Sequence, residues 1–247
     1  MDFPKLKNDN LLRAARGEKV DRLPIWIMRQ AGRHLQEFKD FMKVKWVRLF
    51  LNLTYVQDKS FFELCETPEY ACEVTLQPIR RYDMDASIIF SDILVIPQAM
   101  GMECKMVPGK GPTFTTPLKL DNMNDLTLRP DINSKLSYVY DAITLTRHKL
   151  EGKCPLIGFT GAPWTLMGYM VEGSGSKTYS ASKKWLYQNE DETNKLLDAL
   201  TENIIDHLVG QANAGAQMLQ VFESNAGHLS SHLFEKYCTP RLKYIGE

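Results

Sequence analysis

The chain has 247 residues, 44% hydrophobic and 24% charged, a composition that suits a soluble globular domain with a sizeable core. Its 30 Lys+Arg balance 30 Asp+Glu, so no global basic field favours nucleic acid or an anionic membrane surface. The first residues lack the apolar h-region of a secretory signal, and the longest apolar stretch, 41–56, is too short and too interrupted by Lys43, Lys45, Arg48 and Asn52 to span a bilayer.

In chain order, residues 9–16 read as a short helix closed by Gly17, and 25–28 as a short buried apolar strand. Thr67, Pro68 and Glu69 open a helix with a cap residue, a proline and an acid in its first turn, running to about Tyr82. Residues 86–90 predict a second buried strand. Residues 133–150 place Leu136, Val139, Tyr140, Ile143 and Leu150 on roughly one helical face. Residues 155–159 predict a third strand. The clearest helix is 189–213, where Asn189 and Glu192 resemble a capping box, Leu196, Leu197, Leu200, Ile204 and Leu208 form the apolar stripe, and Gly215 follows the end. A fourth strand at 218–222 and a helix over about 230–244 complete the series. Strands separated by helices imply parallel pairing through right-handed crossovers, in either a doubly wound sheet or a (β/α) barrel. No internal repeat divides the chain, and 1–247 reads as a single domain.

Each apolar run ends in polar side chains: Arg29-Gln30, Ser91-Asp92, Thr160-Gly161 and Glu223-Ser224. In a barrel such ends converge on one face, where active sites are built. Arg29 and Arg33, four apart with Ala31-Gly32 between them, offer two planar donor forks suited to a ligand with several acidic groups; surface ion pairs are the alternative. Asp92 fits a site residue or a loop cap. On the residues alone, Tyr169 reads as a core aromatic and Ser224 as a turn serine. The run 173–178 lacks the Gly directly before Lys that a phosphate-binding P-loop needs, and 108–112 is a turn cluster. The five cysteines are dispersed without a Cys-x-x-Cys pair, as for reduced thiols in a cytosolic protein. His228 and His232 are four apart, but no third ligand stands in an obvious place, so no metal site is expected.

Five segments, in order, resemble the uroporphyrinogen decarboxylase family: Met28-Arg29-Gln30-Ala31-Gly32-Arg33, Ile88-Ile89-Phe90-Ser91-Asp92-Ile93-Leu94, Pro97-Gln98-Ala99-Met100-Gly101-Met102, Gly161-Ala162-Pro163-Trp164-Thr165-Leu166-Met167, and Gly215-Ala216-Gln217 through Phe222-Glu223-Ser224. The resemblance runs from about Asn8 to the last residues, except for one segment. It implies an α/β fold, the (β/α)8 TIM barrel, and a cytoplasmic homodimer. It also implies decarboxylation of the four acetate side chains of the tetrapyrrole uroporphyrinogen to coproporphyrinogen in haem biosynthesis, without metal or organic cofactor. By resemblance, Arg29, Ala31 and Arg33 lie on the substrate-binding arginine-glycine loop. Asp92 stabilises a cationic intermediate, and Tyr169 and Ser224 contact the substrate through their hydroxyls. Arg29 or a bound water supplies the proton; the sequence does not choose.

Three departures accompany the resemblance. His34 stands where a tyrosine is common. Residues 41–60 match nothing in the family, and no residue aligns to a further substrate-facing arginine there, Arg48 being out of register. The family's remaining barrel strands and a substrate-binding histidine would lie beyond Glu247, so 1–247 alone is expected to form an incomplete barrel, unstable and inactive. A rival reading, a corrinoid-linked methyltransferase, would call for a His-x-Cys arrangement that this chain lacks.

Overall fold

The computed structural model describes residues 2–28, 31–47 and 54–247. In chain order the helices are α1 (Asn10–Ala15), α2 (Gln36–Met42), α3 (Phe61–Glu66), α4 (Pro68–Arg81), α5 (Val95–Ala99), α6 (Ile132–Lys135), α7 (Ser137–Lys149), α8 (Pro163–Glu172), α9 (Ser180–Gln188), α10 (Glu190–Asn213), α11 (Ser231–Leu233) and α12 (Thr239–Gly246). The strands are β1 (Lys43–Val47), β2 (Thr54–Asp58), β3 (Ser87–Ile88), β4 (Cys104–Val107), β5 (Gly111–Phe114), β6 (Leu156–Gly161) and β7 (Met218–Phe222).

Strands β3, β6 and β7 form one sheet in that order. β3 is parallel to β6, with Ser87 opposite Leu156 and Ile88 opposite Ile157. Gln217 N–H donates to the Leu156 carbonyl at 2.8 Å and Ala162 N–H to the Phe222 carbonyl at 2.9 Å, so β7 runs in the same sense as β6. Parallel neighbours need long crossovers, and helices supply them, which makes the chain α/β as its alternation predicts. β6 is buried at every position but Phe159, as a strand covered on both faces should be.

The residues cluster in two compact units. The first comprises Met1–Asp92, Tyr138–Gly158 and Gln211–Leu219. Here Ser60 and Glu63 form a capping box at the start of α3, and Pro68 starts α4; the Thr67 side chain, expected as a cap, accepts no hydrogen bond. Leu35, Phe38, Leu64 and Val74 form a buried cluster, against which Ala31, Phe41, Met42, Tyr70 and Phe90 pack. The N-terminal residues lie as a strap. Lys7 N–H donates to the Gly152 carbonyl at 2.8 Å, and the Phe3 ring covers the buried Arg147 guanidinium, 5.0 Å from its centroid. Gly152 is required beneath the strap, because a Cβ there would lie 1.9 Å from the Lys5 carbonyl oxygen.

The second unit comprises Ile93–Ser137, Phe159–Gly210 and Gln220–Glu247. Trp164, Leu166, Met167 and Met170 bury one long face of α8, and Leu196, Leu197, Leu200, Ile204 and Leu208 bury the predicted stripe of α10. Tyr237, fully buried, donates its hydroxyl to the Leu186 carbonyl at 2.8 Å.

Several expectations change. The run at 25–28 is not a buried strand: Ile25, Ile27 and Met28 are 57%, 53% and 63% exposed. Its backbone is held instead at one point, where Asp85 N–H donates to the Ile25 carbonyl and Ile25 N–H donates to the Asp85 carboxylate. Apolar, β-branched composition favours a strand only where a ladder is available to receive it. The helix read over 133–150 breaks at Leu136, after α6, which the Asp131 side chain caps by accepting from Ser134 N–H at 3.0 Å. The helix read over 230–244 contains a wide π turn at Phe234–Cys238, next to Pro240. A proline has no N–H to continue the regular ladder, and the turn absorbs that gap.

Residues 41–60 begin as the end of α2 and continue as the antiparallel hairpin β1–β2, with Lys43 opposite Asp58 and Val47 opposite Thr54. The base closes where Lys59 N–H donates to the Met42 carbonyl at 2.9 Å. Lys59 Nζ also donates to the Phe41 carbonyl at 2.8 Å and lies 4.4 Å from the centre of the Phe41 ring. Arg48 lies outside the described residues.

Candidate active site

In the first unit, Asp92 follows β3 after Ile89, Phe90 and Ser91, and is only 4% exposed. The strand end is fixed by α4. Phe90 N–H donates to Thr75 Oγ1 at 2.8 Å, and the Thr75 hydroxyl donates to the Ala71 carbonyl at 2.7 Å. Two titratable groups feel the Asp92 charge. Burial pushes the Cys65 thiol up, with Asp92 and Glu66 adding to the effect. Burial also raises the Tyr138 phenol, with Glu66, Cys65 and Asp92 contributing in turn. Asp92 is therefore a buried carboxylate with Glu66 acting on the same two groups. A fixed carboxylate in such a place favours any positive charge that develops beside it. The Ser91 hydroxyl next to it is buried without a partner.

The arginine-glycine loop approaches the same cluster from another side. Ala31 packs on Leu35, Phe38, Leu64 and Val74, and Phe90, two residues before Asp92, packs on that cluster too. Gly32 takes φ +136, a turn only glycine adopts readily, and Leu35 N–H closes it on the Gly32 carbonyl at 3.0 Å. Arg33 is exposed at the turn. Arg29 lies outside the described residues.

In the second unit, Tyr169 is half-buried on α8. The loop after α8 passes close to it: a Cβ at Gly175 would stand 3.9 Å from the Tyr169 hydroxyl oxygen. Ser224 is exposed in the turn that follows β7. The turn is tied to the first turn of α8 by a network that sequence reasoning did not assign. The Thr165 hydroxyl donates to Glu223 Oε1 at 2.5 Å, Asn225 N–H donates to Thr165 Oγ1 at 3.2 Å, and Trp164 Nε1–H donates to the Asn225 carbonyl at 3.1 Å. The other oxygen, Glu223 Oε2, is buried without a partner. Burial pushes the Glu223 carboxyl up to about 7, against the Thr165 hydroxyl and the nearby backbone N–H groups of Thr165 and Trp164, which favour the charged form. The only sequence signal for this group was its place directly after an apolar strand.

The cysteines behave as reduced, buried thiols: Cys65, Cys72, Cys154 and Cys238 are buried, and burial raises Cys154 to about 11 and Cys238 to about 12. No helix among the described residues is long and apolar enough to cross a membrane.

Comparison with known proteins adds to this geometry. Residues 6–247 match the family model described as uroporphyrinogen decarboxylase (URO-D). The uroporphyrinogen decarboxylases of Danio rerio, Dictyostelium discoideum and Homo sapiens are 55%, 53% and 51% identical to the chain over 99%, 100% and 99% of its length. The chain spans 63–64% of the length of these relatives. Among solved structures, a methyltransferase from Methanosarcina mazei superposes with a TM-score of 0.75 at 21% identity, over 99% of this chain and 66% of that one, a likeness of fold alone. With the match covering nearly every residue, the chain belongs to the uroporphyrinogen decarboxylase family.

Proposed function

We propose that this chain binds uroporphyrinogen and removes carbon dioxide from its four acetate side chains, giving coproporphyrinogen without a cofactor. The observation that carries the reading is Asp92, a buried carboxylate fixed at the end of β3 inside a family motif. The substrate has eight carboxylates, and Arg29 and Arg33 are the forks proposed to hold them. A proton added to the pyrrole carbon next to the one that bears the acetate makes the ring cationic. The carbon–carbon bond to the carboxylate then breaks, its electron pair forms an exocyclic C=CH2 bond that neutralises the ring, and carbon dioxide leaves; a second proton adds to that CH2 to complete the methyl group, and the first proton leaves the ring carbon to restore the pyrrole. Asp92 stabilises the cationic ring and accepts hydrogen bonds from the pyrrole N–H groups. Tyr169 and Ser224 offer hydroxyls to the substrate, and Ala31 supports the arginine loop beneath it. Arg29 or a bound water is the proton donor. The working form is a cytoplasmic homodimer.

The test is turnover of uroporphyrinogen by the chain completed to the length of its relatives, beside its Asp92→Asn variant, with residues 1–247 alone, expected to be inactive, measured next to both. The variant should keep the fold and lose about 10²–10³ in rate, the usual effect of removing one fixed electrostatic group. Undiminished turnover in the variant would leave Asp92 as a loop cap. Binding without any turnover would reduce the chain to a tetrapyrrole-binding protein.

A further inference from the structure

The turn at Glu223-Ser224-Asn225 is built around a carboxyl group that the proposed chemistry does not use. Among the described residues, Glu223 Oε1 accepts from one side-chain donor, the Thr165 hydroxyl, and Glu223 Oε2 is buried with none. A buried carboxyl with so few partners weakens a fold unless it serves another end. What it does here is local and specific. Thr165 is completely buried and stands in the first turn of α8, one turn before Tyr169 on the same helix. Its hydroxyl has one proton, and giving it to Glu223 leaves the oxygen to accept from Asn225 N–H, at 3.2 Å. The two bonds bracket Ser224, and the Trp164 Nε1–H bond to the Asn225 carbonyl closes the bracket from the same helix. Ser224 is thereby exposed on a turn with fixed backbone at both of its neighbours. Gly168 lets the buried Tyr179 ring press on α8 beside this turn, since a Cβ there would stand 2.8 Å from that ring.

The geometry points to Glu223 as a positioning residue that, through the Thr165 hydroxyl, sets the Ser224 turn against α8 and so presents the Ser224 hydroxyl and the helix of Tyr169 to one substrate. This inference rests on the reading of Ser224 and Tyr169 as substrate contacts. Glu223 does not touch the substrate in this scheme; it acts through Thr165. The groups facing it are the Thr165 hydroxyl and the Trp164 and Thr165 N–H groups from α8, and the Cys238 thiol from the π turn, which burial pushes up and the Glu223 charge pushes further. His228, whose ring lies 4.7 Å from that of Tyr179, is a second titratable group near the turn, so a pH effect needs a control that removes only Glu223.

The test uses the full chain and three variants, Thr165→Val, Thr165→Ser and Glu223→Gln. Two quantities are read: hydrogen exchange of the Asn225 amide without ligand, and affinity for uroporphyrin, the oxidised octacarboxylate, between pH 5 and 8. Thr165→Val keeps the shape and loses the hydroxyl, so it should speed Asn225 exchange and weaken uroporphyrin by about tenfold each. Thr165→Ser should restore both. Glu223→Gln keeps an acceptor but cannot ionise, so it should hold affinity near that of the parent while removing an inflection close to neutral pH; an inflection that persists belongs to another group and overturns the assignment. Exchange and affinity within twofold of the parent in Thr165→Val would also overturn it. Failure of the parent chain to bind uroporphyrin would sink the functional reading instead. The positioning network would then stand or fall on exchange alone, faster in Thr165→Val if it is real and unchanged if it is not.

Discussion

Asp85 and Glu223 are both carboxylates placed beside strand ends, and the protein treats them in opposite ways. The Asp85 side chain is completely buried and accepts from Arg22 through both Nη atoms, from Asn8 Nδ2 and from Ile25 N–H, at 2.6–2.7 Å. Burial pushes its carboxyl up, but these donors outweigh burial and hold it below the ordinary value. Glu223 has one hydroxyl donor and the N–H groups of Thr165 and Trp164 nearby, and burial wins. The sign of a shift follows from the balance of burial and donors, and the Arg22 ion pair tips it for Asp85. A carboxylate with a full set of donors is holding the fold together. One left short of donors weakens the fold, which is tolerable where the group serves a site.

The sharpest way to break the comparison is to remove the saturated member. Asp85→Ala strips the acceptor from Arg22, Asn8 and the Ile25 backbone together, and should lower stability by about 3 kcal/mol in a denaturant titration at pH 7. In the parent, the folded pKa of Asp85 lies below its unfolded value. Its contribution is therefore present above about pH 4 and is lost as pH falls through the folded value. A variant as stable as the parent at neutral pH would mean that the four hydrogen bonds merely replace those made to water.

Glu223 should show the opposite slope. Its folded pKa, about 7, lies above the ordinary 4.5, so the folded state holds the proton longer than the unfolded chain. Stability from this group is complete below about pH 4.5 and declines as pH rises through 7. Glu223→Gln removes the titration. Thermal melts at pH 8 should find the variant more stable by roughly 2 kcal/mol, with the gap closing toward pH 5. Equal gaps at both pH values would show that Glu223 ionises in the fold without penalty.

The smallest effect belongs to a region outside both networks. The hairpin β1–β2 starts and ends beside one hydrogen bond, Lys59 N–H to the Met42 carbonyl. Excising 43–58 would join residues that are already neighbours, so stability should change by less than about 1 kcal/mol, and solubility should rise. A loss of several kcal/mol on the same melt would make the hairpin part of the core.

Much of the fold was legible in the sequence because some of its rules are local. The stripe of α10, the proline start of α4 and the apolar run of β6 depend on spacing within one segment, and all three were readable. The strand read over 86–90 is shorter in the fold, Ser87–Ile88, which leaves Asp92 four residues beyond its end. What failed depended on partners distant in sequence. Ile25, Ile27 and Met28 have strand composition, yet their exposure was decided by what lies alongside them. Leu136 carries no helix-breaking chemistry, so the break between α6 and α7 had no signal of its own in the sequence. Glu223 was visible as one of four strand-end residues. Its meeting with Thr165, 58 positions earlier, was not.

The strap at the N-terminus has a consequence for the birth of the protein. Phe3 and Lys5 leave the ribosome well before the surfaces that receive them, Arg147 and Gly152, are made. At 5–20 residues per second, the wait is roughly 7–30 s. During that interval the strap has nothing to dock on and is open to proteases and chaperones. The strap is thus made early and docks late, so slowing synthesis between the two would delay closure over Arg147.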